Sequence, residues 1–524
     1  MFAYDERDAV LLLYGERNSV NLGGREIFSP PPGKLVTRVW KVHNSREVRV
    51  SLSEKGSDRE TTLLVSPGES VREVGEMVEQ PFYFKGELCY VKVYMSSPPP
   101  DGGDYPTQRV VCGGEVVYGK DLKPGEFVSV RPFGDLLTLV RSKGWRHQEL
   151  FVGEDFGGMR KVDEGETVGP VGFSDTLIYR RNDSVLTGSV TIKVDYPVLD
   201  VVLWGDLLAV EVIKDYRTPI LTYDLLGRKL DEETHDNVLM MDSEGPTLFL
   251  TETSFSYRVK VSSKREGREN VILSSGSTQV HVKDVYVQGD VLLHGFLLTK
   301  VKEPKGVVVY GYGGFRLPLL PSYNPVHNVL MDDGFSVLIT NLRGGYEKGE
   351  EWHKAGMLKN KVNVFRDFAQ FLEVVKGMGG RTVAMGGSNG GLLVGATLNQ
   401  RPELVDCAVI GHPVLDMLRY HKLYVGKYWV EEYGDPEDPE MRDYLLSYSP
   451  YHNLRGGLPK TFVYTGLNDD RVHPGHGIKY AARSRELGND VLLFVNDTGH
   501  SVADPELRAR EYSYVVAFIE ECLR

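Results

Sequence analysis

Seven times within its first 275 residues the chain passes from a polar turn into a short apolar strand. The segments are "DERDAVLLLY", "NSREVRVSL", "KGELCYVKVY", "GDLLTLV", "SDTLIYRR", "GDLLAVEV" and "EGPTLFLTE". They begin near positions 5, 44, 85, 134, 174, 205 and 244. The mean interval, about 40 residues, is the length of one four-stranded propeller blade. The sequence between them is rich in Val, Leu, Tyr and Thr, broken by Gly, Asp, Asn and Ser, with no sustained helical period. This predicts a seven-bladed β-propeller over residues 1–275. No fixed Trp or His marks the repeat, so a pair of β-sandwiches stays as the alternative.

From residue 276 to 524 the pattern changes to alternation. "GVVVYGYGG" (306–314) and "FSVLITNLRGG" (335–345) read as buried strands. Residues 362–377 carry a helical period, with Val364, Phe368, Phe371, Leu372 and Val375 on one face. A strand at 382–386, a helix from about 390 to 400, "CAVIGHPV", "KTFVYTGLND", a helix near 476–487, "DVLLFVND" and a helix at about 505–522 follow. Alternating strands and helices build a doubly wound, mostly parallel sheet.

One stretch of this second half carries chemistry. Gly386-Gly387-Ser388-Asn389-Gly390 fits G-x-S-x-G between a strand and a helix. That context marks the nucleophile elbow of an α/β-hydrolase domain rather than a plain turn. The turn is so sharp that neighbouring side chains would collide, so glycines flank the serine. The helix that follows aims backbone N–H groups at the site, which favours developing negative charge. A serine hydroxyl needs a base, and the base needs an orienting carboxylate. The chain order on such a fold is Ser, then Asp or Glu, then His. "TFVYTGLNDD" ends at Asp469 and Asp470, and "VLLFVNDTGH" ends at His500. Either aspartate could be the acid. Asp497 reads as a turn residue. His473 and His476 follow Asp469 too closely to reach across the site and are read as solvated or capping residues.

Bulk properties exclude other chemistries. The net charge of −12 argues against nucleic-acid and anionic-membrane partners. No segment approaches the ~20 apolar residues of a membrane helix. The N-terminus "MFAYDERDAVLLLYGERN" is acidic where a signal peptide is basic, so a cytoplasmic location is expected. Four cysteines, Cys89, Cys112, Cys407 and Cys522, lie far apart beside apolar runs and are read as buried thiols. No metal-ligand cluster and no phosphate loop is evident, so neither a metal nor a cofactor is expected.

With these residues in view, seven motifs resemble one family. "YGYGGF" (310–315), "NLRGG" with "EEWHKAG" (341–356), "GGSNGGLL" (386–393), "GKYWVEEYG" (426–434), "YSPYHNL" (448–454), "NDDRV" (468–472) and "GH" (499–500) resemble, in order, the prolyl oligopeptidase family of serine peptidases. The resemblance implies a seven-bladed propeller capping an α/β-hydrolase domain, the fold class reached above. It implies Ser388 as nucleophile, Asp469 rather than Asp470 as the acid, and His500 as base. It implies an oxyanion hole from the Asn389 backbone N–H and the Tyr312 hydroxyl, Tyr310 being a packed aromatic. It gives Arg471 the substrate carbonyl, and places Phe315, Trp429, Tyr433 and Val472 around a proline ring.

Proline at P1 is flat, apolar and uncharged, so its pocket needs an aromatic face. Related oligopeptidase B enzymes, which cleave after Arg or Lys, are expected to carry an acid there. Glu431 and Glu432 lie close to Trp429, so a basic P1 residue is the alternative, alongside acylaminoacyl-peptidase and esterase activity. Arg343, Trp352 and His353 are read as braces of the catalytic domain. The family's larger members begin with an N-terminal segment that is missing or minimal here, so no propeller residue is assigned to substrate. The expectation is a monomeric serine endopeptidase that hydrolyses short peptides on the carboxyl side of proline, with a domain hinge around residues 270–285.

Overall fold

The computed structural model covers residues 1–524 and describes all but 16, 17, 55, 56, 58, 145, 189 and 503. The chain divides into two compact units: Met1–Ser254 with Val259–Ser275, and Phe255–Arg258 with Gly276–Arg524.

Among the described residues, the first unit holds seven four-stranded antiparallel sheets, each made of four consecutive strands. This is a seven-bladed β-propeller, and the sandwich alternative falls away. The sequence repeat has a specific structural meaning. Its seven segments lead into the second strand of each blade: Ala9–Leu13, Val48–Glu54, Glu87–Tyr94, Leu136–Lys143, Leu177–Arg181, Leu207–Val212 and Thr247–Thr253. These strands are covered by neighbours, as the burial of nearly all of Val48–Glu54 shows. Fourth strands such as Lys229–Glu233 and Arg268–Ser274 face solvent and lose the apolar signal.

Apolar side chains fill the spaces between successive blades. Val36, Val50 and Leu52 of the second blade pack with Phe2, Val10 and Val20 of the first. Phe249 of the seventh blade meets Ala3 and Ala9 of the first, which closes the ring. The Ala3 backbone N–H donates to the Asp242 carboxylate at 2.8 Å across the same seam.

The second unit is built on an eight-stranded sheet. Its strands are β1 (His281–Gln288), β2 (Leu292–Thr299), β3 (Val307–Tyr310), β4 (Ser336–Asn341), β5 (Thr382–Gly387), β6 (Cys407–Gly411), β7 (Lys460–Gly466) and β8 (Val491–Asn496). Their spatial order is β1-β2-β4-β3-β5-β6-β7-β8. The β1–β2 hairpin joins β4 antiparallel, and every later pairing is parallel. The helices are α1 (Pro325–Asp332), α2 (Glu350–Lys354), α3 (Val362–Gly377), α4 (Asn389–Gln400), α5 (Val430–Tyr433), α6 (Pro439–Tyr448), α7 (Gly475–Glu486) and α8 (Pro505–Cys522). The predicted face of α3 is buried at all five positions. Helix α4, apolar on every side, is buried from Asn389 to Leu398, as a helix without a polar face must be. This is an α/β-hydrolase sheet, with its parallel strands ending along one edge. Among the described residues no helix is long and apolar enough to cross a membrane.

Two expectations need correction. The cysteines are not buried thiols: Cys89 bonds Cys112, and Cys407 bonds Cys522. Cys89 and Cys112 face each other directly across two neighbouring strands of the third blade, a register that their spacing does not announce. His476 is neither solvated nor a cap. It is buried in α7, and its Nδ1 accepts the backbone N–H groups of Leu415 and Asp416 at 3.1 and 3.0 Å. Burial holds its pKa down at about 3, which keeps the ring a neutral acceptor.

Candidate active site

The parallel strands deliver their last residues to one edge of the sheet, where connecting loops are free to carry function. Strand β3 leads into the loop 311–316, β5 into Ser388, β7 into Asp469 and β8 into His500. The ladder continues past the strand ends. Ser388 N–H donates to Gly411 O at 2.8 Å, and Asn468 N–H to Thr498 O at 3.1 Å. These bonds weld adjacent loops together.

Ser388 stands at φ 56°, ψ −118°, immediately before α4. This left-handed, strained conformation is one that a non-glycine residue adopts only when its surroundings impose it. The flanking glycines permit it. A Cβ on Gly386 would lie 2.4 Å from Gly390 O, and one on Gly390 would lie 2.6 Å from Gly311 O.

His500 Nδ1 lies 2.7 Å from Asp469 Oδ2. The other carboxylate oxygen, Oδ1, accepts N–H groups from Arg471 and Val472 at 3.0 and 2.8 Å. Burial opposes ionisation of Asp469, but the neighbouring imidazoles of His412 and His500 outweigh it and hold the carboxyl well below the usual range. Asp470 is only partly buried and Asp497 is exposed.

Tyr312 stands on the loop after β3, and Ser388 is among the groups that act on its phenol. Burial, with the nearby Glu432 carboxylate, raises the phenol pKa, so Tyr312 keeps its proton and can donate it. The Asn389 N–H lies at the first position of α4. Its side chain has a second task that sequence reasoning missed. The amide nitrogen donates to Tyr312 O at 2.7 Å, and the amide oxygen accepts the Tyr433 hydroxyl at 2.8 Å. One buried side chain thus joins the elbow, the tyrosine loop and α5.

The aromatic residues gather around α5. Phe315 meets Tyr433 edge-to-face at 5.5 Å, and Trp429 stacks on Tyr420 at 6.3 Å. Tyr433 and Val472 are buried, whereas Phe315 and Trp429 keep open surface. Arg471 is exposed, and its guanidinium reaches Ser501 Oγ at 3.3 Å.

Glu431 and Glu432 part company. Glu431 is exposed, while Glu432 is fully buried. Glu432 accepts the Phe315 N–H at 3.0 Å, faces His353 Nε2 at 2.7 Å and pairs with Lys361 at 3.4 Å. Lys361 in turn donates to Gly313 O at 3.1 Å. The carboxylate therefore braces the tyrosine loop. His353 shares the brace with Glu350, and Arg343 is held by Asp367 and Asp290.

A further histidine was overlooked. His412 follows β6 as Ser388 follows β5, and its ring lies 5.7 Å from that of His500. A histidine just past the end of a parallel strand was the available signal.

Residues 321–524 match the model of the prolyl oligopeptidase family. The prolyl endopeptidase of Elizabethkingia miricola is 43% identical over 204 residues, 37% of this chain and 29% of that protein. The prolyl endopeptidase of Elizabethkingia meningoseptica is 42% identical over 238 residues, 43% of this chain and 32% of that protein. The chain thus spans about a third of the length of these curated relatives. Among solved structures, a prolyl endopeptidase superposes with a TM-score of 0.87 at 22% identity, covering 97% of this chain and 86% of the other. Oligopeptidase B from Leishmania major gives 0.79 at 19%, covering 99% and 87%. At such identities these structures speak to fold alone, whereas the match over residues 321–524 is one of sequence. Through residues 321–524, the chain is similar in sequence to the prolyl oligopeptidase family.

Proposed function

We propose that the chain is a serine endopeptidase that hydrolyses short peptides on the carboxyl side of proline. The observation that carries this reading is the strained Ser388 turn on the same sheet edge as the Asp469–His500 pair. His500 takes the proton of the Ser388 hydroxyl as the oxygen attacks the peptide carbonyl. Asp469 holds the imidazole in one tautomer and stabilises its charge. The Asn389 N–H and the Tyr312 hydroxyl receive the oxyanion. His500 then protonates the leaving amine, and water releases the acyl group from Ser388.

Proline specificity is supported by the aromatic cluster of Phe315, Trp429 and Tyr433, and by the names of the curated relatives. Arg471 and Val472 complete the proposed subsite. The basic-P1 alternative rested on Glu431 and Glu432. Both oxygens of Glu432 are occupied by the Phe315 N–H, Lys361 and His353, which leaves none for a substrate cation. No step of the proposed reaction requires a metal or a cofactor.

The test compares matched chromogenic peptides with Pro, Arg or an acetylated residue at P1, and a simple ester. Proline should lead in kcat/KM by more than roughly tenfold. A lead by Arg, or by the ester, overturns the specificity. Failure of a fluorophosphonate to label Ser388 overturns the mechanism.

A further inference from the structure

We propose that His412 is a positioning residue of the catalytic site, its imidazole gripped between the carboxylates of Asp469 and Glu511 so as to fix the oxygen that orients His500. The inference rests on the preceding reading that Asp469 and His500 act on Ser388.

The geometry is specific. His412 Nδ1 lies 3.4 Å from Asp469 Oδ2, the same oxygen that His500 Nδ1 meets at 2.7 Å. Oδ1 is committed to the backbone, so both imidazoles share one oxygen. On its other side His412 Nε2 lies 3.4 Å from Glu511 Oε2 of α8. His412, Asp469 and Glu511 are 7%, 1% and 3% exposed. Two carboxylates that deep in a protein need a counter-charge, and His412 is the cation between them.

The rest of the surroundings agree. Tyr464 of β7 packs its ring against His412 edge-to-face at 5.4 Å. Burial raises the Tyr464 pKa well above its ordinary value, so it adds no charge. Glu511 also accepts the Asn496 amide at 2.7 Å, and the Thr498 hydroxyl donates to Asn496. Thr498 O accepts the Asn468 N–H, so the network touches the loops that carry both Asp469 and His500. His412 itself stands at φ 41°, with its N–H on Tyr464 O at 2.8 Å. A strained non-glycine residue held in this way is a recurrent mark of functional sites.

Charge balance shows what the clamp does. With His412 protonated, the cluster of His412, Asp469 and Glu511 carries one net negative charge, which stabilises the imidazolium that His500 becomes. Once His412 is neutral, the cation that holds Asp469 and Glu511 together is lost, and the two close buried carboxylates repel. Asp469 Oδ2 is then no longer fixed in the position that orients His500. Burial works against the charge on His412, but Asp469 and Glu511 outweigh it and push the pKa up to about 9. The folded value is raised, so the stabilisation is complete below the unfolded value near about 6.5 and is lost as pH rises through the folded one.

The experiment measures kcat/KM against pH for the wild type, His412→Gln and Glu511→Gln, each corrected for sites labelled by a fluorophosphonate. The wild type should lose activity on an alkaline limb near pH 9. In His412→Gln that limb should vanish, with kcat reduced by about tenfold or more and KM nearly unchanged. In Glu511→Gln it should move down by roughly one pH unit or more, since one of the two supporting carboxylates is gone. A wild type without an alkaline limb, or a Glu511→Gln limb at the wild-type position, overturns the proposal, as does a His412→Gln profile identical to wild type. If His412→Gln does not fold, as judged by thermal unfolding, the other two profiles decide. An unlabelled wild type instead defeats the hydrolase reading itself, so the two failures are distinguishable.

Discussion

Ser388 illustrates how much one backbone angle asks of its neighbours. Its φ of 56° presents the hydroxyl at the mouth of the sheet, at a cost of order 1–3 kcal/mol. Removing the hydroxyl keeps the Cβ and the turn. Ser388→Ala should therefore fold with an unchanged thermal midpoint while turnover falls by about 10⁴-fold or more, measured with a proline chromogenic peptide. Tyr312→Phe keeps the ring and deletes one proposed donor to the oxyanion. It should lower kcat by about 10²–10³ and leave KM nearly unchanged. A loss confined to KM would remove Tyr312 from the oxyanion role. The elbow was legible because its five residues are contiguous in sequence, although Gly390 is also held to glycine by Gly311 on a different loop. The Asn389 side chain was not legible. Its partners, Tyr312 and Tyr433, lie far away along the chain and meet it only once the sheet has formed.

At the scale of elements, the loop after β3 and helix α5 behave as one piece. Glu432 of α5 binds the loop through Phe315, and Lys361 binds both. Burial lowers the Lys361 pKa while Glu432 supports its charge, and together Lys361 and His353 hold the Glu432 carboxyl below its ordinary range. Glu432→Gln leaves two buried cations short of a partner. It should destabilise the domain by about 3–5 kcal/mol in urea unfolding. Because the brace supports the tyrosine loop, kcat should fall with it, even though Glu432 touches no reacting atom. An increase in cleavage after Arg on this substitution would show instead that the carboxylate disfavours basic substrates. From sequence the pair Glu431-Glu432 looked like one acidic feature. A helical step of one residue turned the first outward and the second inward, and only the tertiary packing sets which. The alternation of strands and helices was plain because apolar periodicity carries it. The β1–β2 hairpin was missed. His281–Gln288 is exposed at most positions, so it offers no such run.

For the whole molecule, the repeat in the first half was readable because each blade repeats the same burial gradient, and the second strand always carries the strongest signal. The disulfides were unreadable, because pairing depends on which strands and helices become neighbours. Cys407–Cys522 closes a span of 115 residues that includes β7, β8 and the proposed Asp469 and His500. Opening a loop of that size should cost about 2–5 kcal/mol. Replacing both cysteines with Ala should therefore lower the midpoint of denaturant unfolding of the hydrolase domain. An unchanged midpoint would show that the bond contributes nothing to stability under the assay conditions.

That same bond has a second consequence. It fastens the last turn of α8 to the start of β6, while Glu511, eleven residues earlier on the helix, faces His412 just past the other end of that strand. Five residues of strand and eleven of helix each cover roughly 16 Å, so one rod grips one ribbon at its foot and at its head. Whatever loosens the rod's far end, beside Cys522, should then be felt at the proposed pair of Asp469 and His500.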